Sequence, residues 1–153
     1  MAAVKPIPDD YPQVIAYLVV DGAAGAIDFY RKVLGATERM RMAGPDGRVG
    51  HAELEIGSSL IMLADEYPDV DAFGPNKYGG SPVSIMVYVE DVDDVFKRAV
   101  ENGAKARQEP EDKFYGDRSG TFDDPFGHRW TVSSHVEDVS AEEMERRAAQ
   151  MSG

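Results

Sequence analysis

The chain contains no cysteine, which removes disulfides, thiolate nucleophiles and cysteine-ligated zinc at once. Basic residues are also few: 16 Lys and Arg stand against 28 Asp and Glu, giving a formal net charge of −12. Such a balance excludes non-specific nucleic-acid binding, which needs cations to neutralise phosphates, and disfavours an anionic membrane surface. No run approaches the ~20 apolar residues of a membrane span, and the opening MAAVKPIPDDYP lacks the apolar centre of a signal peptide. A cytoplasmic protein with no nucleic-acid or membrane partner is the expectation. There are 3 histidines, and none sits in an H-E-x-x-H. G-x-S-x-G and phosphate-loop patterns are missing too. His51-Ala52-Glu53 has the H-x-E of zinc deaminases, but the P-C-x-x-C that must accompany it cannot exist here.

What the chain does have is a repeat. YLVVDGAAGAIDFYRKVLGA, Tyr17–Ala36, returns in outline as VYVEDVDDVFKRAVENGA, Val87–Ala104. Each copy reads as an apolar strand, an acidic residue and an amphipathic helix closed by glycine, so the architecture is two copies of one unit. In the first, Val14–Val20 is a near-continuous apolar run, expected to be a strand buried on both faces. Ile27, Tyr30, Val33 and Leu34 mark the helix's inner side, and Gly35 its end. Strands are expected over Ala36–Met42, Val49–Ile56 and Leu60–Leu63, the last two joined by Gly57-Ser58. The second unit repeats this with Val83–Val89 and a helix from the N-cap Asp91 to Asn102. Strands Lys105–Glu109, Arg118–Asp123 and His128–Ser133 follow. The expected organisation is a first β-α-β-β-β unit over 13–64, an acidic Pro/Gly-rich linker and candidate lid over 65–82, a second unit over 83–135 and a tail over 136–153. Ser140-Ala-Glu-Glu143 starts a helix in that tail whose apolar face, Met144, Ala148 and Met151, is thin.

Register narrows the chemistry. A turn at Gly57-Ser58 sets Ile56 against Ser59, Glu55 against Leu60 and Glu53 against Met62. His51, Glu53 and Glu55 then share one sheet face with Met62, which is either a solvated exterior or a polar cup, while Ala52, Leu54 and Ile56 suit a helix. Glu90-Asp91-Val92-Asp93-Asp94 reads as charge at a helix N-terminus, since the spacing of a calcium loop is missing. Trp130 reads as core ahead of ligand stacking. Arg118 either clamps an anionic group or neutralises Asp117 or Asp123.

The paired units, with IDFYRKVLGA in the first and DDPFGHRW in the second, resemble the vicinal oxygen chelate superfamily of glyoxalases, bleomycin-resistance proteins and extradiol dioxygenases. HAELEIGSSLIML, GDRSGTFDDPFGHRW and the tail SHVEDVSAEEMERRA look like its PhnB-like branch. The resemblance implies an α+β fold of cup-shaped mixed sheets with the site inside the cup, and a homodimer. It also implies metal-ligand positions on the first and last strands of each unit. Here those positions hold Ile15, Met62, Ser84 and Thr131, two apolar side chains and two neutral hydroxyls. The expectation is therefore a protein without metal or other cofactor that binds a partly apolar small organic molecule, as bleomycin-resistance proteins do. Its expected ligand-binding residues are Tyr17, His51, Glu53, Met62, Ser84, Met86, Tyr88, Arg118, Arg129 and Thr131. The alternative is an enzyme, a glyoxalase-like lyase or isomerase, with an off-position metal at His51 and Glu53 or with Glu53 as general base.

Overall fold

A computed structural model describes residues 3–152. It divides into two compact units, one ending at Gly79 and the other beginning at Gly80.

In the first unit, β1 (Ala16–Val20), β2 (Thr37–Ala43), β3 (Val49–Ile56) and β4 (Ser59–Asp65) form a mixed sheet of order β1-β4-β3-β2. β1 runs parallel to β4, and the other pairs are antiparallel. Helix α1 (Ala23–Leu34) crosses one face. Its Ala26, Ile27, Tyr30 and Val33 are fully buried, as are Val20, Ala52, Leu54 and Leu63 of the sheet. At ~1.5–3 kcal/mol for each large apolar side chain removed from water, this layer is what holds the unit together. The Gly57-Ser58 turn gives the expected register, Ile56 opposite Ser59 and Glu53 opposite Met62. The start of β1 differs from expectation. Pairing with β4 begins at Ala16, and Val14 is 90% exposed. The strand also buries one face only, because α1 covers just the side carrying Leu18 and Val20.

Asp65, expected to open the linker, instead ends β4 and ties three elements together. One carboxylate oxygen accepts the N–H groups of Gly22 (2.9 Å) and Ala23 (2.8 Å), and the other accepts that of Val49 (2.8 Å). Gly22 has no side chain to cap α1, so Asp65 satisfies those free donors from across the sheet. The expected linker as far as Gly79 belongs to the first unit, with short 3-10 turns at Pro68–Val70 and Pro75–Tyr78 and a Tyr67–Ala72 bridge.

The second unit repeats the plan with β5 (Ser84–Tyr88), β6 (Lys105–Asp112), β7 (Asp117–Asp123) and β8 (Arg129–His135) in the order β5-β8-β7-β6. Helix α2 (Val92–Glu101) starts as expected, with the Asp91 side chain accepting the Asp94 N–H. Val92, Val95, Phe96 and Ala99 are buried, with Phe122, Trp130 and Val132 buried on the strands. Phe96 meets Phe122 edge-on at 6.2 Å between ring centres. Gly120 allows that approach, since a Cβ there would stand 2.9 Å from the Phe96 ring. Trp130 is core, its indole N–H donating to the buried Asp124 carboxylate at 2.9 Å. β5, like β1, is shorter than its apolar run and alternates in exposure. Helix α3 (Ala141–Met151) buries no residue fully, as its thin apolar face implied. Polar contacts fix it: Ser140 caps Glu143, and Arg147 bonds Glu137 (2.7 Å) and the Phe114 carbonyl (3.1 Å). Among the described residues no helix is long and apolar enough to cross a membrane.

Candidate functional site

On the first sheet, the face turned away from α1 carries one continuous row. Tyr17 lies opposite Met62, Met62 opposite Glu53, and Glu53 opposite Met40. His51, two residues before Glu53, points to the same side by strand alternation. The face is mixed in exposure: Tyr17 is half exposed, while Glu53 is only 3% exposed. A buried carboxylate must find partners, and here it does. The Tyr11 hydroxyl donates to it at 3.0 Å, the His51 Nε2 lies 2.8 Å away, and the Arg39 Nε is 3.8 Å off. On the far side of the ring, His51 Nδ1 sits 2.9 Å from the Tyr17 hydroxyl. The hydrogen bond from His51 holds the Glu53 carboxyl below the usual glutamate range, aided by Tyr11 and opposed by burial. Tyr17 moves up, through burial and the Glu53 charge behind it, and so keeps its proton. Tyr11 is also raised, chiefly by its bond to Glu53.

The proton positions follow from the partners. A carboxylate only accepts, so His51 Nε2 carries a hydrogen toward Glu53. In the neutral ring Nδ1 then accepts from Tyr17, and the row is a chain Tyr17–His51–Glu53–Tyr11. Tyr11 and Arg39 had no place in the sequence reading. Tyr11 lies in a proline-bearing arm without periodicity. Arg39 is the extra residue of a β-bulge, since Glu38 pairs Leu54 while Met40 pairs Glu53. Its guanidinium stacks 4.5 Å above the Tyr11 ring and reaches Asp10 at 3.2 Å, which pins the arm across the sheet.

Beside this row opens a cavity of 580 Å³ contained in the first unit. Tyr17, Val19 and Ala64 line it, with Pro45 and Arg48 from the turn before β3. Glu66–Val70 of the expected lid segment form another wall. Tyr17 is half exposed and is the only member of the polar row that also lines the cavity.

The second sheet's equivalent face is built from hydroxyls. Ser84 and Thr131 lie 3.2 Å apart, Thr121 and Thr131 3.2 Å, and Ser119 and Ser133 2.7 Å. Tyr88 donates to the buried Asp117 at 2.8 Å, and His135 bridges Asp117 (2.9 Å) and Asp138 (2.8 Å). Both ring nitrogens of His135 face carboxylate oxygens, and its pKa is raised, by Asp117 first and Asp138 second, which favours the protonated ring. A cavity of 860 Å³ lies here, lined by Ser119, Thr121, Thr131, Phe114, Tyr115 and Arg147 among others.

The structure thus gathers Tyr17, His51, Glu53 and Met62 on one face, and Ser84, Met86, Tyr88 and Thr131 on another. Arg129 shares the second face but is spent on Asp123, at 2.9 Å, beside Arg107 on the same carboxylate at 2.6 Å. Arg118 is a correction. It has the parity of Phe122 and faces the helix side, where it grips Asp93 of α2 with bonds of 2.9 and 3.0 Å and reaches Asp112. Arg118 does neutralise acidic neighbours, one of its two expected roles, but Asp117 and Asp123 are used by His135 and Arg129 instead. The metal-ligand positions implied by the resemblance do not fit a metal: Ile15 has no donor, Met62 has only a thioether, and Ser84 and Thr131 bond each other. Among the described residues, no group of three or more His, Asp or Glu side chains is arranged to hold an ion.

Two β-α-β-β-β units, each with a mixed four-stranded sheet and its polar face opposite the helix, define a paired-unit α+β protein. The chain belongs to the Glyoxalase/Bleomycin resistance protein/Dioxygenase superfamily, whose model matches residues 12–132. An uncharacterized protein of Mycobacterium tuberculosis is 42% identical over 137 residues, spanning 88% of this chain and 81% of that one. TioX from Micromonospora is 25% identical with a TM-score of 0.61, covering 84% of this chain and all of that structure (100%). The PhnB protein of Bacillus cereus shares the fold, with a TM-score of 0.65 at 16% identity over 80% of this chain and 99% of that one.

Proposed function

We propose that the protein binds a small, partly apolar organic molecule in the first unit's cavity, without a metal, and that binding is its primary function. The observation that carries this reading is the 580 Å³ space that has Tyr17 on its wall and Val19, Ala64, Val49 and Val70 around it. A few polar groups in a mostly apolar concavity of that size are the usual composition of a small-molecule site. The donor-poor set Ile15, Met62, Ser84 and Thr131 supports the metal-free part. The protein is a homodimer in this reading, as the family resemblance implies, and light scattering on purified protein tests that directly.

A thermal-shift screen of neutral organic fragments tests the binding. A ligand at 100 times its dissociation constant stabilises the protein by about 2.7 kcal/mol. That stabilisation is expected to be lost in Ala64→Trp, which obstructs the cavity from its wall, and to persist after chelation. Hits that survive Ala64→Trp overturn the location, and hits that need a stoichiometric metal overturn the metal-free reading. A catalytic reading is also favoured by one observation, the hydrogen-bonded chain behind Tyr17. Glu53 itself is poorly suited as a base, because it is buried and its oxygens are already engaged.

A further inference from the structure

We propose that the C-terminal tail is a hinged cover over the hydroxyl-lined face of the second sheet, with residues 139–140 as its hinge and Arg147 as its latch. The helix it carries borders open space instead of filling it. The 860 Å³ cavity of this unit is walled by Glu137, Arg147 and Met151 of the tail together with Ser119, Thr121 and Thr131 of the sheet. On α3, Met144, Arg147 and Ala148 are half-buried and no residue is buried fully, so no large apolar anchor holds the helix down. A segment with little buried apolar surface belongs to the part of a structure that opens most easily. The helix also lies beyond residues 12–132, which the family model matches, so the cover is an addition to the shared fold.

The fastening of the tail separates into three parts. Its lead-in is fixed to the body of the unit. The Gly116 carbonyl accepts the N–H groups of Val136 (2.9 Å) and Glu137 (3.0 Å), and Asp138 holds the His135 ring at 2.8 Å. Gly116 is what lets the tail cross here, since a Cβ on it would stand 2.1 Å from the Glu137 carbonyl oxygen. The helix, in turn, is held together from within. Ser140 accepts the Glu143 N–H at 3.2 Å, and Arg146 pairs with Glu143 at 2.5 Å. Those bonds travel with the helix, so it can swing as one piece. Arg147 joins the helix to the rest: its guanidinium donates to the Phe114 carbonyl at 3.1 Å and to the two Glu137 carboxylate oxygens at 2.7 and 3.1 Å. Half of the Glu137 side chain meets solvent, so salt screens this latch, which it would not do to apolar packing. With Arg147 released, rotation at 139–140 lifts α3 away and opens the cavity to solutes.

Because the chain has no cysteine, a single introduced thiol reports on one place without background. Ser119→Cys puts that thiol in the covered cavity, at a residue only 4% exposed. Ala99→Cys puts it in the core under α2, at a residue with no exposure, where it reacts when the unit opens as a whole. Labelling by iodoacetamide is followed by mass spectrometry on the full-length protein, with and without Arg147→Gln. Arg147→Gln is expected to speed labelling of Ser119→Cys about 10-fold, the scale of one lost hydrogen bond from a charged donor, and to change Ala99→Cys by less than about 2-fold. Added salt is expected to speed labelling of Ser119→Cys while Arg147 is present and to have little effect once it is replaced. A Ser119→Cys rate that ignores both Arg147→Gln and salt overturns the proposal. An equal acceleration at Ala99→Cys overturns it too, since Arg147 then supports the whole unit and not a cover.

Discussion

Replacing Glu53 by glutamine is the most informative single perturbation of the first sheet. The carboxylate takes a bond from Tyr11 at 3.0 Å and one from His51 at 2.8 Å, in a site where only 3% of the residue meets solvent. Glutamine keeps the shape and one acceptor oxygen but turns an NH2 toward a second donor. One charge-assisted bond is lost, worth about 1.5–3 kcal/mol, and the surviving one is weakened. For a chain of this size 1 kcal/mol moves the melting temperature by roughly 2–4 °C, so Glu53→Gln is expected to melt about 3–12 °C below wild type at pH 7. Calorimetry or circular dichroism reads this directly. The pH dependence carries a sign. The folded-state pKa of Glu53 is depressed, so its contribution is present above the unfolded glutamate value of about 4.3. It is lost as pH falls through the lower folded value. The gap between wild type and variant should stay constant from pH 8 to about 5 and close on further acidification. Glu38→Gln, which removes a partly exposed pair with Arg41, serves as the control and should cost no more than about 1 kcal/mol. A Glu53→Gln shift below that of the control, or a gap that widens in acid, would refute the reasoning.

Two further outcomes follow from the second unit. Trp130→Phe leaves the buried Asp124 carboxylate without its indole donor, which is expected to cost about 1–3 kcal/mol and is read as a loss of melting temperature. His135 has a folded pKa raised by Asp117 and Asp138, so the stability it confers is fully present below the unfolded value of about 6.5. That stability declines as pH rises through the raised folded value. NMR titration of the ring should show the upward shift, and His135→Gln should melt with no corresponding decline over that interval.

Much of the fold was legible because its signals were local or periodic. The Gly57-Ser58 turn and the alternation of β3 together fix which residues face which, and so place Glu53 beside Met62 before any coordinates. The helix faces followed from spacing, and Asp91 from its position before an apolar period. Asp65 was not legible as a cap, since the donors it satisfies belong to a helix more than forty residues earlier by direct count and leave no trace in its own neighbourhood. Tyr11 and Arg39 escaped for a related reason: Tyr11 reaches Glu53 from an arm without periodicity, and the bulge that frees Arg39 is a property of the pairing. Arg118 was legible and misread. It alternates with Phe122, whose apolar ring belongs under a helix, and that parity alone sends the guanidinium to the helix side.

The matching registers of the two sheets have a consequence for how this chain can change. Tyr17, Met62 and Glu53 stand in line in the first, and Met86, Thr131 and Thr121 stand in the corresponding line in the second. A duplicated template therefore presents two rows of matching register, one holding a tyrosine, a thioether and a carboxylate and the other alcohols and a thioether. Because each row is a set of side chains on an unchanged backbone, its chemistry can drift by substitutions on the face opposite the helix while the core beneath stays intact. The duplication gives the chain two such faces, and substitutions on one leave the side chains of the other as they are.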